Sequence, residues 1–257
     1  MIKNIGNFKD KIDGTIKCVY EMENKKIVEM SVLYNKKDKD VVCVPTHHFC
    51  NLGCKMCHLT NKGLNKKMIR IEIDDFMKCL IEALKKYKTN KNKLLISFMG
   101  VGEPLLNIDL IFDVFKNEDK IKALGYESVS YALSTMMPND NLEKLSVLVN
   151  EYNIPLKVHF SLHTPIDSER KELIPSTRVN VSDALKLLSN YKNQVMKNEK
   201  IMDNYIMFHR NNIPVEIHYT LIKGVNDGNK ELKCLINLLK EYNIPIKFIK
   251  FNETNTL

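Results

Sequence analysis

The sequence predicts an α/β fold: a partial, open (β/α)6 barrel of the TIM type, preceded by a small N-terminal β prelude. Three observations predict it. From Val41 onward, six short apolar runs with strand character alternate with segments whose apolar residues recur at helical spacing. Repeated βα units imply a parallel sheet with right-handed crossovers, and six are fewer than the eight that close a full barrel. The glycine-, serine- and histidine-bearing motifs follow the strands, at the ends where α/β folds bind their ligands.

Residues 1–40 form the prelude. Thr15–Met22 and Ile27–Tyr34 are β-rich extended runs separated by the polar turn Glu23-Asn24-Lys25-Lys26, and a charged turn over Asn35–Asp40 follows. Residues 41–257 form the second unit, which begins with the short strand Val41-Val42-Cys43-Val44, ended by Pro45. Asp74–Lys88 places Phe76, Leu80, Ile81 and Leu84 on one face behind an Asp74 cap, so it is an amphipathic helix. Leu94–Met99 is a strand, Ile108–Phe115 a helix, Ser128–Leu133 a strand, Asn141–Asn150 a helix and Leu156–Leu162 a strand. Val181–Tyr191 opens a long helical region that reaches toward Asn211 with breaks. Val215–Ile222, Lys230–Tyr242 and Ile246–Phe251 complete the chain as strand, helix and strand. There is no internal repeat and no low-complexity linker.

A hydrophobic content of 44% over 257 residues supplies a proper core and excludes a disordered chain. No apolar run approaches the length of a membrane span, and Met1–Gly6 does not read as a signal peptide. Seven cysteines, an odd number, argue for a reducing compartment, so the expected location is cytoplasmic. The net charge of +8 suits a polyanion such as RNA. A chain-wide bias toward Lys, Asn and Ile produces the same charge without one. Only Arg70, Arg170, Arg178 and Arg210 carry the guanidinium fork favoured for phosphate.

The chemistry is densest in Cys50-Asn51-Leu52-Gly53-Cys54-Lys55-Met56-Cys57, a CxxxCxxC stretch whose three thiols can face one small loop. Cysteine thiolates hold iron–sulfur clusters, and three ligands on a 4Fe–4S cube leave one iron open to a small molecule. This spacing is the signature of the radical SAM superfamily, in which that molecule is S-adenosylmethionine (SAM). Three other readings stay open: a Cys3His zinc site with His58, a c-type haem attachment at Cys54–His58 in an exported protein, and incidental thiols.

Four motifs end strands. Met99-Gly100-Val101-Gly102-Glu103-Pro104 combines a tight backbone with a carboxylate able to accept hydrogen bonds from an ammonium, or it is an ordinary turn. Ser134, in Leu133-Ser134-Thr135, offers a hydroxyl. Ser161 and His163 alternate in Phe160–Pro165, so they should face the same way along a strand. Asn226, in Leu221–Asp227, offers a donor and an acceptor to an adenine or ribose edge, or it caps a helix together with Asp227.

In order, these motifs resemble the RlmN/Cfr family of radical SAM RNA adenosine methyltransferases, from about Asp13 to Asn252. The resemblance rests on Asp13–Lys17, Val42-Cys43-Val44 seven residues ahead of the cluster motif, MGVGEPLLN at Met99–Asn107, Leu133-Ser134-Thr135, Ser161-Leu162-His163 and LIKGVND at Leu221–Asp227. It implies a radical SAM barrel with Cys50, Cys54 and Cys57 on a 4Fe–4S cluster and with Gly102, Glu103, Ser134, Ser161, His163 and Asn226 contacting SAM. It also implies methylation of C2 or C8 of an adenosine in rRNA or tRNA through a 5′-deoxyadenosyl radical, with electrons from a flavodoxin-type or other low-potential reductant. Cys43 matches the family cysteine that resolves a protein–RNA crosslink. Glu29 falls where the family has a catalytic acid–base Glu, with the spacing to Cys43 differing by one. The family's methyl-accepting tail cysteine would follow Leu257, so residues 41–257 are read as the core without that tail. No cysteine lies beyond Cys234. A radical SAM enzyme that abstracts hydrogen directly from another substrate, and an iron–sulfur or zinc RNA-binding protein, are the alternatives. Pro45-Thr46-His47-His48-Phe49 differs from the family's usual polar loop, and its two histidines are expected either at substrate or in solvent.

Overall fold

The computed structural model describes residues 2–34, 37–63, 66–209 and 211–252. Arg210, Asn35 and Lys36 in the charged turn, and the end of the chain from Glu253, lie outside the described residues.

One nine-stranded sheet organises the molecule, in the order β1-β2-β3-β4-β5-β6-β7-β8-β9. The strands are β1 (Lys3–Lys9), β2 (Ile16–Glu21), β3 (Ile27–Leu33), β4 (Asp40–Cys43), β5 (Lys93–Phe98), β6 (Ser128–Thr135), β7 (Leu156–Ser161), β8 (Val215–Leu221) and β9 (Ile246–Lys250). β1 to β4 pair antiparallel and β4 to β9 parallel. The six parallel strands are those expected, and the sheet does not close on itself, as a partial barrel requires. Because β3 pairs with β4, the sheet runs unbroken from the prelude into the parallel region.

The connections are α1 (His58–Asn61) and α2 (Ile73–Tyr87) before β5, then α3 (Ile108–Lys116) and α4 (Glu118–Lys122) before β6. α5 (Leu142–Glu151) precedes β7. α6 (Asp167–Leu173), α7 (Val181–Met196) and α8 (Glu199–Ile206) precede β8, and α9 (Asn229–Tyr242) precedes β9. α2 is capped by Glu72 with no side-chain cap bond, and Asp74 lies inside its first turn, where a carboxylate meets the positive helix end. α9 begins at Asn229 with Gly228 as its cap, so neither Asn226 nor Asp227 caps it.

Strand alternation divides the sheet into two faces. One carries Val42, Ile96, Leu133, Val158 and Ile217, all buried against the helices in a single core. The other, which among the described residues no helix of that core covers, carries Glu29 and Ser31 on β3, Cys43 on β4, Ser97 on β5, Ser134 on β6, Ser161 on β7 and His218 on β8; Cys43 lies between Ser31 and Ser97 in register, and Ser161 lies opposite His218. Buried Asp40 fixes the start of β4: it accepts from Thr89 N–H (3.0 Å), the Thr89 hydroxyl (2.6 Å) and the Tyr126 hydroxyl (2.9 Å). Among the described residues, no helix is long and apolar enough to cross a membrane.

Candidate active site

The C-terminal ends of β5, β6 and β7 and the loop after β4 enclose one cavity. Cys50, Cys54, Cys57, Gly102, Glu103, Ser134, Ser161 and His163 all line it. The cysteine loop turns at Gly53, whose φ of +70° is a conformation that favours glycine. It is tied down by Lys55 N–H donating to Leu173 O (2.9 Å) and the Ser176 hydroxyl donating to Leu52 O (2.7 Å). Leu52, Cys54 and Met56 pack on Met136, Leu173 and Ile174.

The three thiols are free and partly buried. Burial, and then the charges of Cys57 and Cys50, push Cys54 up to about 12; burial likewise raises Cys50. Thiolates crowded in such a place need a cation to persist, and iron in a cluster supplies one. The donor set therefore fits a 4Fe–4S cluster. His58 is exposed at the start of α1 and is outside the cavity, so the Cys3His zinc set is not assembled.

The glycine motif is dictated by close backbone approach. A Cβ on Gly100 would sit 2.8 Å from Pro45 N and Val44 C. Gly102 has a φ of +108°, and a Cβ there would collide with His47 Nδ1. Glu103 is 2% exposed and accepts from Leu105 N–H and Met136 N–H, both at 3.0 Å. Burial raises its carboxyl to about 7, against the lowering effect of these bonds and a bond from Thr135. A cation entering the cavity would restore its charge.

Ser134 and Ser161 place their hydroxyls 3.0 Å apart. His163 reaches the cavity by a route other than the expected alternation. β7 stops at Ser161, and His163 has a φ of +58°, left-handed backbone that is costly for a non-glycine residue. Its Nδ1 accepts from Thr220 N–H (3.1 Å), and burial pulls its pKa down to about 3. The ring is thus a neutral imidazole with its proton on Nε2.

Five singled-out residues, Asn226, Cys43, Glu29, His47 and His48, do not line the cavity. Asn226 is buried and its amide is in use: Nδ2 donates to His163 O (2.6 Å) and Thr220 O (2.7 Å), and Oδ1 accepts from Ile222 N–H (2.7 Å). Cys43 lies on the helix-free face of β4, and burial raises its thiol to about 11. Glu29, farther out on β3, faces the same way and pairs with Lys17 at 3.0 Å. His47 and His48 are buried, neither in solvent nor lining the cavity. His47 lies 2.8 Å from the Thr46 hydroxyl, and His48 sits 3.0 Å from Ile27 O. They fasten the approach to the cysteine loop.

The residue that the sequence did not single out for this site is Arg170, on α6. It is 1% exposed, donates to Leu162 O (3.2 Å), Met136 O (2.6 Å), Ser161 O (3.3 Å) and the Thr177 hydroxyl (2.6 Å), and lies over the Phe160 ring. It joins the ends of β6 and β7. The available signal was an arginine in a lysine-rich chain, seven residues after His163.

A family model described as the Radical SAM superfamily matches residues 44–233. The Dual-specificity RNA methyltransferase RlmN of Buchnera aphidicola subsp. Schizaphis graminum is 28% identical over 240 residues, which are 93% of this chain and 61% of that protein. The Probable dual-specificity RNA methyltransferase RlmN of Clostridioides difficile is 28% identical over 95% of this chain and 64% of its own length. The chain therefore spans under two thirds of these relatives. Among solved structures, a radical SAM methyltransferase from Sphaerobacter thermophilus shares the fold at a TM-score of 0.74 and 20% identity, covering 100% of this chain and 69% of that one.

Proposed function

Because the chain belongs to the radical SAM superfamily, we propose that it is the core of an RNA adenosine methyltransferase of the RlmN/Cfr type, acting at C2 or C8 of an adenosine in rRNA or tRNA. The superfamily uses a 4Fe–4S cluster and SAM. When bound, they supply electron transfer and radical chemistry, which an unreactive aromatic carbon needs. The observation that carries the proposal is the convergence of three cysteines, Glu103, Ser134, Ser161 and His163 on one cavity, together with relatives named RNA methyltransferases that align over 93% and 95% of the chain.

In this reading Cys50, Cys54 and Cys57 hold the cluster. Glu103 takes the ammonium of SAM, and Gly102 keeps the backbone close enough for that contact. Ser134, Ser161 and the Nε2–H of His163 take its carboxylate and ribose. Asn226 serves SAM indirectly, by holding His163 and the β8 end in place. Cys43 is the crosslink-resolving thiol; burial holds it neutral at about 11, so a base at the substrate must take its proton before it attacks. Glu29, paired with Lys17 on the same face, moves a proton at the substrate. Residues 1–40 extend the face on which RNA lies, and residues 41–257 form the catalytic unit. The protein works in the cytoplasm with a flavodoxin-type or other low-potential reductant.

Mass spectrometry of RNA from cells with and without the gene tests the reading. C2- or C8-methyladenosine that depends on the gene supports it; identical RNA in the two contradicts it.

A further inference from the structure

Below Ser161 the helix-free face has an unusual lining. Barrel interiors are ordinarily filled by branched aliphatic side chains. Here the inward positions of β7 and β8 are Lys157, His159, Glu216 and His218, which share the face of Ser161 by alternation and register. Three of them, Lys157, His159 and His218, are at least nine-tenths buried. Buried polar groups persist in proteins only when they are paired or used.

Their pairing is incomplete in one place. Glu216 Oε1 lies 3.1 Å from His218 Nε2 and 3.8 Å from His159 Nε2, and its Oε2 takes Lys157 at 3.2 Å. Among the described residues, His159 Nδ1 is buried with no hydrogen-bond partner. Burial, then the charges of His218 and Lys157, lower the pKa of His159 to about 2, so the ring is neutral; its Nε2 faces the Glu216 carboxylate at 3.8 Å, which draws the proton to Nε2 and leaves Nδ1 as the acceptor.

The arrangement excludes two ligand classes. Lys157 and Glu216 cancel, which leaves no net positive charge for a phosphate. The His159 and His218 rings are stacked, with centroids 4.4 Å apart and planes 13° from parallel. Imidazole lone pairs lie in the ring plane, so the two cannot converge on one metal ion at bonding distance. A neutral, planar ligand with an N–H donor remains. Its approach from the N-terminal ends of the strands is blocked: Lys39 donates to Phe208 O (2.6 Å), Lys93 donates to Met207 O (3.4 Å), and Phe208 is buried. The ligand must therefore come from the side of the SAM cavity.

We propose that His159, oriented by Glu216 and stacked on His218, is the acceptor for the exocyclic amino group of the substrate adenine, which sits beneath SAM. This inference rests on the RNA adenosine reading above. It is tested on cluster-loaded protein under anaerobic conditions with SAM saturating, by equilibrium dialysis of adenosine 5′-monophosphate against purine riboside 5′-monophosphate, which lacks the amino group. The proposal predicts about tenfold tighter binding of the adenosine nucleotide, the size of one lost hydrogen bond. His159→Leu should abolish the preference. His159→Asn should keep it, because the amide oxygen replaces Nδ1. Equal affinity for the two nucleotides, no measurable binding of either, or an undiminished preference in the Leu variant overturns it; a water on Nδ1 would give the first result. Gene-dependent methyladenosine without nucleotide discrimination removes this subsite alone, and absence of both removes the parent reading as well.

Discussion

In the proposed function, Glu103 is the residue on which cofactor binding turns. In the unfolded chain it titrates at the ordinary carboxylate value of 4.5; in the fold burial raises it to about 7. A raised carboxyl binds its proton more tightly when folded, so the unliganded fold loses stability as pH climbs from 4.5 to 7 and loses no more above that. A bound ammonium reverses the sign by favouring the ionised form. SAM affinity should therefore fall about tenfold per unit as pH drops below 7. Glu103→Gln should bind SAM more weakly and show no such pH dependence between about 6 and 8. Calorimetry across that range checks both, and a parallel pH slope in the two proteins would contradict the assignment. The identity of this residue was legible in the sequence, from its place after a strand. Its raised pKa was not, because that comes from burial under β6. Likewise His163 was legible as a cavity residue for an incorrect reason: left-handed backbone aims it, not strand alternation.

The elements show where local pattern fails. β1 escaped notice because Lys3-Asn4-Ile5-Gly6-Asn7-Phe8-Lys9 is rich in poor strand formers, and a register shift between Asn4 and Gly6 breaks the alternation; β2 supplies the pairing that forms it. α6 escaped because Asp167–Leu173 has one apolar residue, and tertiary bonds to Arg170 hold it. The parallel strands were legible from their apolar residues, which are largely buried on β4 to β8, while β9 is partly exposed. Asp40 shows how one buried carboxylate secures an element. Asp40→Ala leaves the Thr89 amide and two hydroxyls without their acceptor, and should cost roughly 3 kcal/mol. Denaturant unfolding measures it; a loss below ~1 kcal/mol would mean that water replaces the carboxylate.

At the scale of the whole molecule, the sheet sorts its residues by face. The helix side holds the core, and the free side carries the cysteine cavity, Cys43, Glu29 and the polar set on β7 and β8. The motif order announced the first of these. The polar set had no motif: Lys157, His159, Glu216 and His218 are ordinary residues in sequence and become a group only when β7 and β8 pair in register.

The central claim is that this face holds an iron–sulfur cluster and SAM and acts on RNA. Its most direct test is anaerobic reconstitution with iron and sulfide, followed by reduction in the presence of SAM and ribosomal RNA. The account predicts about four irons per chain, lost on Cys54→Ala, together with 5′-deoxyadenosine and methyladenosine that require both the reductant and the intact cysteines. Stoichiometric zinc in place of iron, with SAM recovered uncleaved, would contradict it.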